Sequence, residues 1–470
     1  MTLNTPLLWV LFPLVIAAIV GALYQRKALS IILTVITAFG LALLAALFPE
    51  NLTLSIGPLR LVFSENLAIL GRQITVKYEI LPFISLIYAM TGLWTLSSWF
   101  PNTPVAFRPN SLVLTALLTA AAGVEPFLYA AVLIQIAILV SVPMLSQGGG
   151  ATDRGILRYL TLQTLAMPLI LLAGWLLTGV ETLPADSPLV GQSTILLGLG
   201  FALWLGIFPF HSWIPMVAQR SRPNVVGFLV FLFPTTILVF SLNFFNRYTF
   251  LRNLPNLAET LQLFGVVMIV IGGLWTAFQT DLKRAFGFSV LTESGFSLAA
   301  LGLISQGGLN WLMLLFPLRA LGFWLWSFAL TALENHAEEL TFESVRGIAR
   351  QFPILSAGLI LAQFSIAGMP LLASFPIKLA LLSATLNAGT AFGLWSFIGN
   401  LGLFLFTLRL LFSLLTPQDE NTFEKWRLSE KSNEYLPVLI MILILVLLGL
   451  FPNNFMDGIL NTLTAFTQLQ

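Results

Sequence analysis

The sequence contains no cysteine, and this absence excludes several kinds of chemistry. Disulfide bonds, thiolate catalysis, cysteine zinc sites and cysteine-held iron–sulfur clusters all need a side chain that is missing here. Histidine is scarce as well: only His211 and His336 occur, so a haem held by two histidines is not expected. The sequence therefore predicts no redox cofactor and no metal site within this chain.

Charge is also scarce. Asp, Glu, Lys and Arg make up 9% of the 470 residues, against about 25% in soluble domains. Hydrophobic residues make up 57%, and the mean hydropathy is +0.92. A soluble protein of this length needs a charged surface, which 22 basic and 20 acidic residues cannot provide. The net charge of +2 does not indicate the strongly basic surface of a nucleic-acid-binding protein. The composition predicts an all-α, multi-pass membrane protein in contact with the lipid bilayer.

A membrane-spanning helix needs about 20 mainly apolar residues. Fourteen segments are predicted to be such helices: 7–24, 28–48, 80–99, 111–123, 126–146, 155–179, 190–209, 225–243, 260–278, 285–304, 308–331, 353–385, 390–415 and 436–451. With the loops assigned alternately to the two sides, fourteen Lys and Arg residues fall on one side and five on the other. Because basic loops stay in the cytoplasm, this bias predicts both termini on the outer side.

A few ionisable residues fall within the apolar segments. They are Arg319, Lys378, Arg409, Glu293 and Glu125, of which Glu125 is near a short turn and Arg409 is close enough to a helix end to reach the interface. A basic side chain at mid-membrane costs about 2.5–3.5 kcal/mol on insertion scales, so it usually has a partner or a task. For Lys378 and Arg319 the sequence leaves two roles open, ion transport and a structural ion pair between helices.

Two segments interrupt the helical pattern. The first contains Pro209 and Pro215, and the second contains Gly368, Pro370 and Pro376. Proline removes a backbone donor and clashes with the preceding turn, so each segment predicts a broken helix. Backbone groups freed at membrane depth must be buried in protein or face a wet cavity.

Interrupted helices at corresponding positions in two halves are a sign of a transporter's ion path. We therefore predict two inverted five-helix repeats, over 111–243 and 259–415, each containing a broken helix. Independent kinks in a packed bundle are the alternative. The remainder is predicted as N-terminal helices with an extracytoplasmic cap over 1–110, where Gln73–Tyr78 favours a short strand, and a connector with a C-terminal helix over 416–470.

Three sequence segments resemble motifs of a known family: Phe208–Pro215, Asp281–Arg284 and Gly368–Lys378. They are similar to motifs of the antiporter-like membrane subunits, which comprise the proton-translocating subunits of NADH:quinone oxidoreductase (complex I and its photosynthetic relatives) and the large subunits of multisubunit Na⁺/H⁺ antiporters. The resemblance covers about 111–415. It implies proton transport, with Na⁺ left open, together with other membrane subunits of a multisubunit complex in an energy-transducing membrane (plasma or thylakoid). Any NAD(P)H:quinone oxidoreductase activity would belong to the complex, with no cofactor in this chain.

The resemblance also implies a mid-membrane row of charged residues that relays protons. Lys378 matches the family's charged residue after the second break, Arg319 aligns with a relay lysine, and Glu293 stands where a histidine is usual. A buried lysine can give up its proton, whereas arginine stays charged. Lys378 is therefore predicted to be the switching relay, with Arg319 and Glu293 as charge partners.

The first half of the chain departs from the family pattern. The family's glutamate aligns with Gln135 and its first lysine with Trp204, the next lysine falls near Pro234 or Thr235, and Glu125 is a poor positional substitute. Two functions therefore stay open: a proton-moving subunit, favoured by the charges of the second half, and a non-conducting structural paralogue, favoured by the missing charges of the first. An unrelated solute carrier is the third, weaker possibility.

Overall fold

In a computed structural model of this chain, the described residues are 2–48, 53–56, 59–69, 71–100, 103–126, 128–146, 153–177, 188–337, 339–417, 429–453, 460, 466 and 469. The α-helices are α1 (Phe12–Ala22), α2 (Lys27–Leu47), α3 (Leu81–Leu96), α4 (Phe107–Gly123), α5 (Tyr129–Leu145), α6 (Arg154–Leu177), α7 (Pro188–Leu205), α8 (Trp213–Arg220), α9 (Pro223–Arg247), α10 (Thr249–Arg252), α11 (Leu257–Phe278), α12 (Leu282–Gly302), α13 (Gly308–Leu333), α14 (Pro353–Ala367), α15 (Phe375–Ala388), α16 (Thr390–Leu415) and α17 (Ser432–Leu450).

Each of the fourteen predicted segments overlaps at least one of these helices. Segment 353–385 is divided into α14 and α15, and segment 190–209 is followed by the short helix α8. Among the described residues, ten helices are long and apolar enough to cross a membrane, and shorter apolar helices accompany them. The predicted fold class, an all-α multi-pass membrane protein, is confirmed.

The helices that follow the N-terminal part form two series with the same order. In the first, α4, α5 and α6 precede the interrupted pair α7 and α8, and α9 follows; in the second, α11, α12 and α13 precede α14 and α15, and α16 follows. The fourth spanning unit is interrupted in both. Each series thus has five units, and five crossings per series would place the starts of the two series on opposite sides of the membrane, as predicted for inverted repeats.

Two small sheets are built from short strands. β1 (Thr2–Asn4), β2 (Thr53–Ile56) and β3 (Leu59–Ser64) form one sheet in the order β1-β3-β2, with β1 parallel to β3. The other is antiparallel, with β4 (Asn66–Ile69), β5 (Arg72–Thr75) and β6 (Val124–Glu125) in the order β4-β5-β6. The strand expected near Gln73 is thus β5, and β6 comes from beyond the predicted cap.

Three helices form the centre of the protein. The most apolar stretches of α9 and α12 are completely buried and that of α13 is 94% buried, whereas that of α17 is only 22% buried. Helices such as α17 therefore leave much of their surface for lipid. Polar side chains on α12 and α13, in contrast, can be satisfied only by protein or by internal water, because no lipid-facing side remains.

Ion pairs join these central helices to each other at one end of each helix. Glu334, which directly follows α13, contacts Arg222 before α9 at 2.8 Å and also contacts Lys283 in the first turn of α12. Asp281 caps α12 by accepting a 2.9 Å hydrogen bond from the backbone N–H of Arg284. The charges of Asp281 and Lys283 thus have structural partners, and the cap made by Asp281 fixes where α12 begins.

The C-terminal helix is anchored by carboxylates at the same end. Glu434 in the first turn of α17 lies 3.3 Å from His336 Nε2, and Oε1 of Glu430 accepts a 2.9 Å hydrogen bond from the backbone N–H of Leu355 in α14. Burial raises the pKa of Glu430, and the hydrogen bonds from the backbone of Leu355 and Ile354 act in the opposite direction. These contacts attach α17 to the ends of α13 and α14.

Glycine allows α11 and α16 to approach each other at backbone distance. A Cβ added to Gly273 would lie 1.7 Å from the carbonyl oxygen of Gly399. No side chain fits at that separation, so Gly273→Ala must push the helices apart. We expect this variant to lose about 1–3 kcal/mol of stability, the usual cost of overpacking, as measured by thermal unfolding of the purified protein in detergent.

Gly198→Ala in α7 is the matched control. Nothing lies within 4 Å of a Cβ at this position, so alanine should be neutral or add about 0.5–1 kcal/mol through its better helix propensity. Equal unfolding temperatures for the two alanine variants would contradict the proposed close contact of α11 with α16.

Candidate functional site

The structure brings three of the predicted charged residues together. Glu293 in the middle of α12 lies between Arg319 of α13 and Lys378 of α15. Its Oε2 is 3.3 Å from Arg319 Nε, and its Oε1 contacts Lys378 Nζ. The three side chains, separated by up to 85 positions in the sequence, thus form one buried charge cluster.

The charge cluster is sealed from both lipid and bulk water. Glu293 is 3% exposed, Arg319 4% and Lys378 1%. In the part of the chain that the structure describes, neither cation is paired with a second carboxylate, so the cluster holds two positive charges and one negative charge. Burial of such a group is costly unless hydrogen bonds and dipoles compensate it.

Additional partners of the two cations provide that compensation. Arg319 donates to the backbone carbonyl of Glu293 at 2.7 Å and also to Ser297 Oγ. The ammonium of Lys378 donates to the carbonyl of Ile366 and lies 4.5 Å from the centre of the Phe296 ring. Since Ile366 lies in the last turn of α14, the negative end of that helix dipole also faces the ammonium.

Ser297 and Phe296 were not recognised from the sequence. A signal existed, because they follow Glu293 by four and three positions and therefore share its face of α12. Their partners could not be identified in the same way, since those belong to other helices. The carbonyl of Ile366 has no sequence signature, because every residue carries one.

The second helix break presents this carbonyl. α14 ends at Ala367, Gly368 adopts a left-handed conformation with φ of 76°, and α15 begins at Phe375. Pro370 lies inside the interruption, whereas Pro376 lies in the first turn of α15, where a missing N–H is harmless. The end of α14 has carbonyls without intrahelical donors, and side chains supply donors: Ser374 for Ser365, Lys378 for Ile366 and Asn400 for Ala367, the last at 2.8 Å.

The first helix break is satisfied without any charge. α7 ends at Leu205 and α8 begins at Trp213, with Pro209 in the interruption and Pro215 in the first turn of α8. Gln163 of α6 donates to the carbonyls of Leu203 and Trp204 at 3.3 and 3.1 Å. A neutral amide thus donates to the end of the broken helix here, whereas an ammonium does so at the second break.

The first-half positions that depart from the family pattern are packed and largely apolar. Trp204 is 1% exposed, and the centres of the Phe201 and Phe240 rings lie 6.0 and 6.3 Å from its ring. Gln135 is buried and donates to Thr164 Oγ1 at 3.0 Å. Pro234 and Thr235, at the remaining position, are also buried within α9. We find no titratable side chain among these residues.

Two further candidates lie away from the charge cluster. Glu125 is exposed on β6, where it pairs with Gln73 of β5, so it is not a mid-membrane group in this structure. Its apolar flanks suggested a membrane position, but the chain leaves the helix at Gly123 and forms a strand. Arg409 donates to the carbonyl of Ala277 near the C-terminal end of α11. Among the described residues, no group of three or more His, Asp or Glu side chains could hold a metal ion.

Comparison with known proteins agrees with this architecture. The sequence profile of the family described as "NADH:quinone oxidoreductase/Mrp antiporter, TM" matches residues 156–450. "NADH-quinone oxidoreductase subunit N 1" of Herpetosiphon aurantiacus is 26% identical over 292 residues, which cover 61% of this chain and 58% of that relative. The match thus spans little more than half of the curated relative's length.

Two solved structures share the fold along nearly the whole chain. A chain of the Mrp complex from a Dietzia species has a TM-score of 0.79 at 15% identity, with 98% of this chain and 97% of that chain covered. A chain of respiratory complex I from Thermus thermophilus has a TM-score of 0.76 at 17% identity, with 97% and 98% covered. At these identities the likeness establishes the fold.

The charge cluster predicts a specific pattern of stabilities. Glu293→Gln leaves Arg319 and Lys378 buried without a counter-charge and should cost about 3–5 kcal/mol. Adding Lys378→Met removes one of the two unpaired cations, so the double variant should be more stable than Glu293→Gln alone. Thermal unfolding in detergent measures both.

Glu259→Gln provides the control, because the same change is made at an exposed position in the first turn of α11. It should cost less than about 1 kcal/mol, the size of a helix-dipole contact at the surface. The stability losses of Glu293→Gln and of Lys378→Met are compared with the loss of the double variant. If the double variant loses the sum of the two, Glu293 and Lys378 are not coupled.

Proposed function

We propose that this chain is a membrane subunit of a multisubunit, proton-translocating complex in an energy-transducing membrane. The chain belongs to the NADH:quinone oxidoreductase/Mrp antiporter family of membrane proteins. In this proposal it moves protons through a relay in the middle of the membrane. Its partners are other membrane subunits, and the chemistry that drives transport belongs to them. No cofactor is assigned to this chain.

One observation carries the proposal: a lysine in the first turn after a helix break shares a single buried carboxylate with an arginine. Lys378 is the member of the charge cluster that can exchange a proton, since arginine remains charged under all physiological conditions. The interruption between α14 and α15 exposes backbone carbonyls, which stabilise the charged form of Lys378. The arrangement thus holds a titratable amine between alternative partners.

The shared carboxylate suggests how the relay switches. While Glu293 contacts Lys378, the ammonium has a counter-charge and keeps its proton. When an incoming positive charge draws Glu293 fully to Arg319, burial favours the neutral amine, and Lys378 releases its proton. Return of Glu293 restores the preference for the ammonium, which then takes up a new proton. Each cycle moves one proton without a covalent intermediate.

A non-conducting structural subunit is the second candidate. The observation that favours it is the packing of the first half, where Gln135 and Trp204 stand in place of titratable groups and aromatic rings fill the space around Trp204. In that case the charge cluster would serve only as an ion pair that holds α12, α13 and α15 together. The two candidates differ in what the loss of Lys378 does.

Lys378→Met tests the relay, because methionine keeps an unbranched side chain and removes the proton site. In the complete complex reconstituted into vesicles, we expect proton movement, followed with a pH-sensitive dye, to fall to background while assembly survives. Lys378→Arg should fail as well, since a permanent charge cannot be discharged. Replacing external Na⁺ with choline in the same assay identifies the coupled ion.

Lys77→Met is the control, because Lys77 is exposed and lies outside the membrane-spanning helices. It should transport at the unsubstituted rate. Full transport by both Lys378 variants would refute the relay and favour the structural subunit. Loss of the assembled complex in Lys378→Met alone would identify a structural ion pair.

A further inference from the structure

Helix α16 carries two buried oxygen atoms whose hydrogen bonds are unaccounted for. Asn400 is 6% exposed and Ser396, one turn away, is fully buried. Among the described residues, neither Oδ1 of Asn400 nor Oγ of Ser396 has a hydrogen-bond partner. A buried polar group left unpaired costs about 1–3 kcal/mol, and native proteins rarely tolerate one unless water or an ion completes it.

Asn400 directly adjoins the charge cluster. Its Nδ2 donates to the carbonyl of Ala367 at 2.8 Å, and the preceding carbonyl, that of Ile366, accepts from Lys378 Nζ. The amide nitrogen and the ammonium are therefore bound to consecutive carbonyls at the broken end of α14. Because the nitrogen of Asn400 is held there, its Oδ1 remains available to a donor beside the relay lysine.

The four-residue spacing of Ser396 and Asn400 suits a bridging water molecule. Residues four apart on a helix have Cβ atoms about 5–6 Å apart, and no direct hydrogen bond joins Ser396 to Asn400. A water molecule has two donors, so it can bind both oxygens across such a gap. Buried waters commonly make about three hydrogen bonds to polar groups of this kind.

Burial of a hydroxyl on α16 does not by itself create an unpaired oxygen. Thr407 is also fully buried on this helix, yet its hydroxyl donates to the carbonyl of Leu403 at 2.7 Å. Ser396 makes no such bond to its own helix. The unpaired oxygens of Ser396 and Asn400 are therefore not a general consequence of burial on α16.

We propose that a water molecule bound between Asn400 and Ser396 receives the proton that leaves Lys378 and passes it toward the outer side of the membrane. The proposal rests on the proposed relay function of Lys378. With the orientation predicted from the Lys and Arg distribution, α16 begins on the outer side at Thr390, so Ser396 lies farther out than Asn400.

The transfer balances as a simple proton hop. An N–H bond of the Lys378 ammonium breaks, an O–H bond forms on the water, and the resulting hydronium gives a proton to the next water on the outer side. Lys378 is left as a neutral amine, while Glu293 remains a carboxylate beside Arg319. The flexible four-carbon side chain of lysine allows Nζ to approach the adjoining carbonyl of Ala367 and the water beside it.

Two substitutions at Asn400 separate a water-binding role from a packing role. Asn400→Leu keeps the approximate volume but removes both polar atoms, so it should lower proton movement at least tenfold. Asn400→Ser leaves a smaller, polar side chain with room for water and should retain at least half of the transport. If Asn400 served only in packing, the order would be reversed, because the serine variant creates the larger cavity.

Ser396→Ala tests the other water ligand, and Thr407→Val is its control on the same helix. The alanine variant should slow proton movement severalfold, whereas the valine variant should stay within twofold of the unsubstituted complex. All variants are measured as the complete complex in vesicles with a pH-sensitive dye. The amount of assembled complex is determined for each, and rates are expressed per assembled complex.

The outcomes distinguish this inference from the proposed function. Full activity of Lys378→Met would overturn the relay, and the water step with it. If Lys378→Met is inactive while Asn400→Leu and Ser396→Ala transport normally, only the water step is refuted. An Asn400→Ser variant as slow as Asn400→Leu would also refute it, and would assign Asn400 to the support of the broken end of α14. If Asn400→Ser transports faster than Asn400→Leu and Ser396→Ala is slow, the water step is supported.

Discussion

A single carboxylate between two buried cations is the interaction on which the centre of this protein depends. Glu293 contacts both Arg319 and Lys378, which come from separate helices, so its removal would leave two positive charges in an apolar interior. Neither cation can reach the lipid, because Arg319 is 4% exposed and Lys378 is 1% exposed. Two cations with one carboxylate cost free energy to bury. The same excess of positive charge allows the cluster to switch, since one carboxylate cannot satisfy both cations fully at once.

The carbonyl groups at the two helix breaks receive their hydrogen bonds in different ways, from a neutral donor at one break and from a charged donor at the other. Each interruption leaves carbonyls at the end of a helix, and each must be given donors inside the membrane. At the first break Gln163 supplies them without charge, and aromatic rings pack around the neighbouring Trp204. At the second break Lys378 and Asn400 supply them, and the charge cluster lies alongside. The order of helices is repeated, but only at the second break does a lysine side chain donate to a carbonyl at the end of the broken helix.

This asymmetry gives the proposed function a physical basis. Proton transfer needs groups that change protonation and polar contacts that support both states, and the described residues combine these around Lys378. The first half instead contributes packing: its last helix, α9, is part of the buried centre, and the ion pairs of Glu334 join the start of α9 to α12 and α13. The first half can thus stabilise the position of the second half although it has no relay groups of its own.

The sequence by itself determined the membrane class, the fourteen apolar segments and the positions of both interruptions, because hydropathy and proline act locally along the chain. It also identified Glu293, Arg319 and Lys378, since charge within apolar segments is rare. It misplaced Glu125, which lies on a strand, and it could not show that Pro215 and Pro376 belong to the first turns of the following helices. Only the tertiary structure decided that one carboxylate serves two cations, that the Ile366 carbonyl faces Lys378 and that Asn400 adjoins the break. Those contacts depend on how each helix is rotated about its axis and which helix lies beside it, and packing between distant segments sets both.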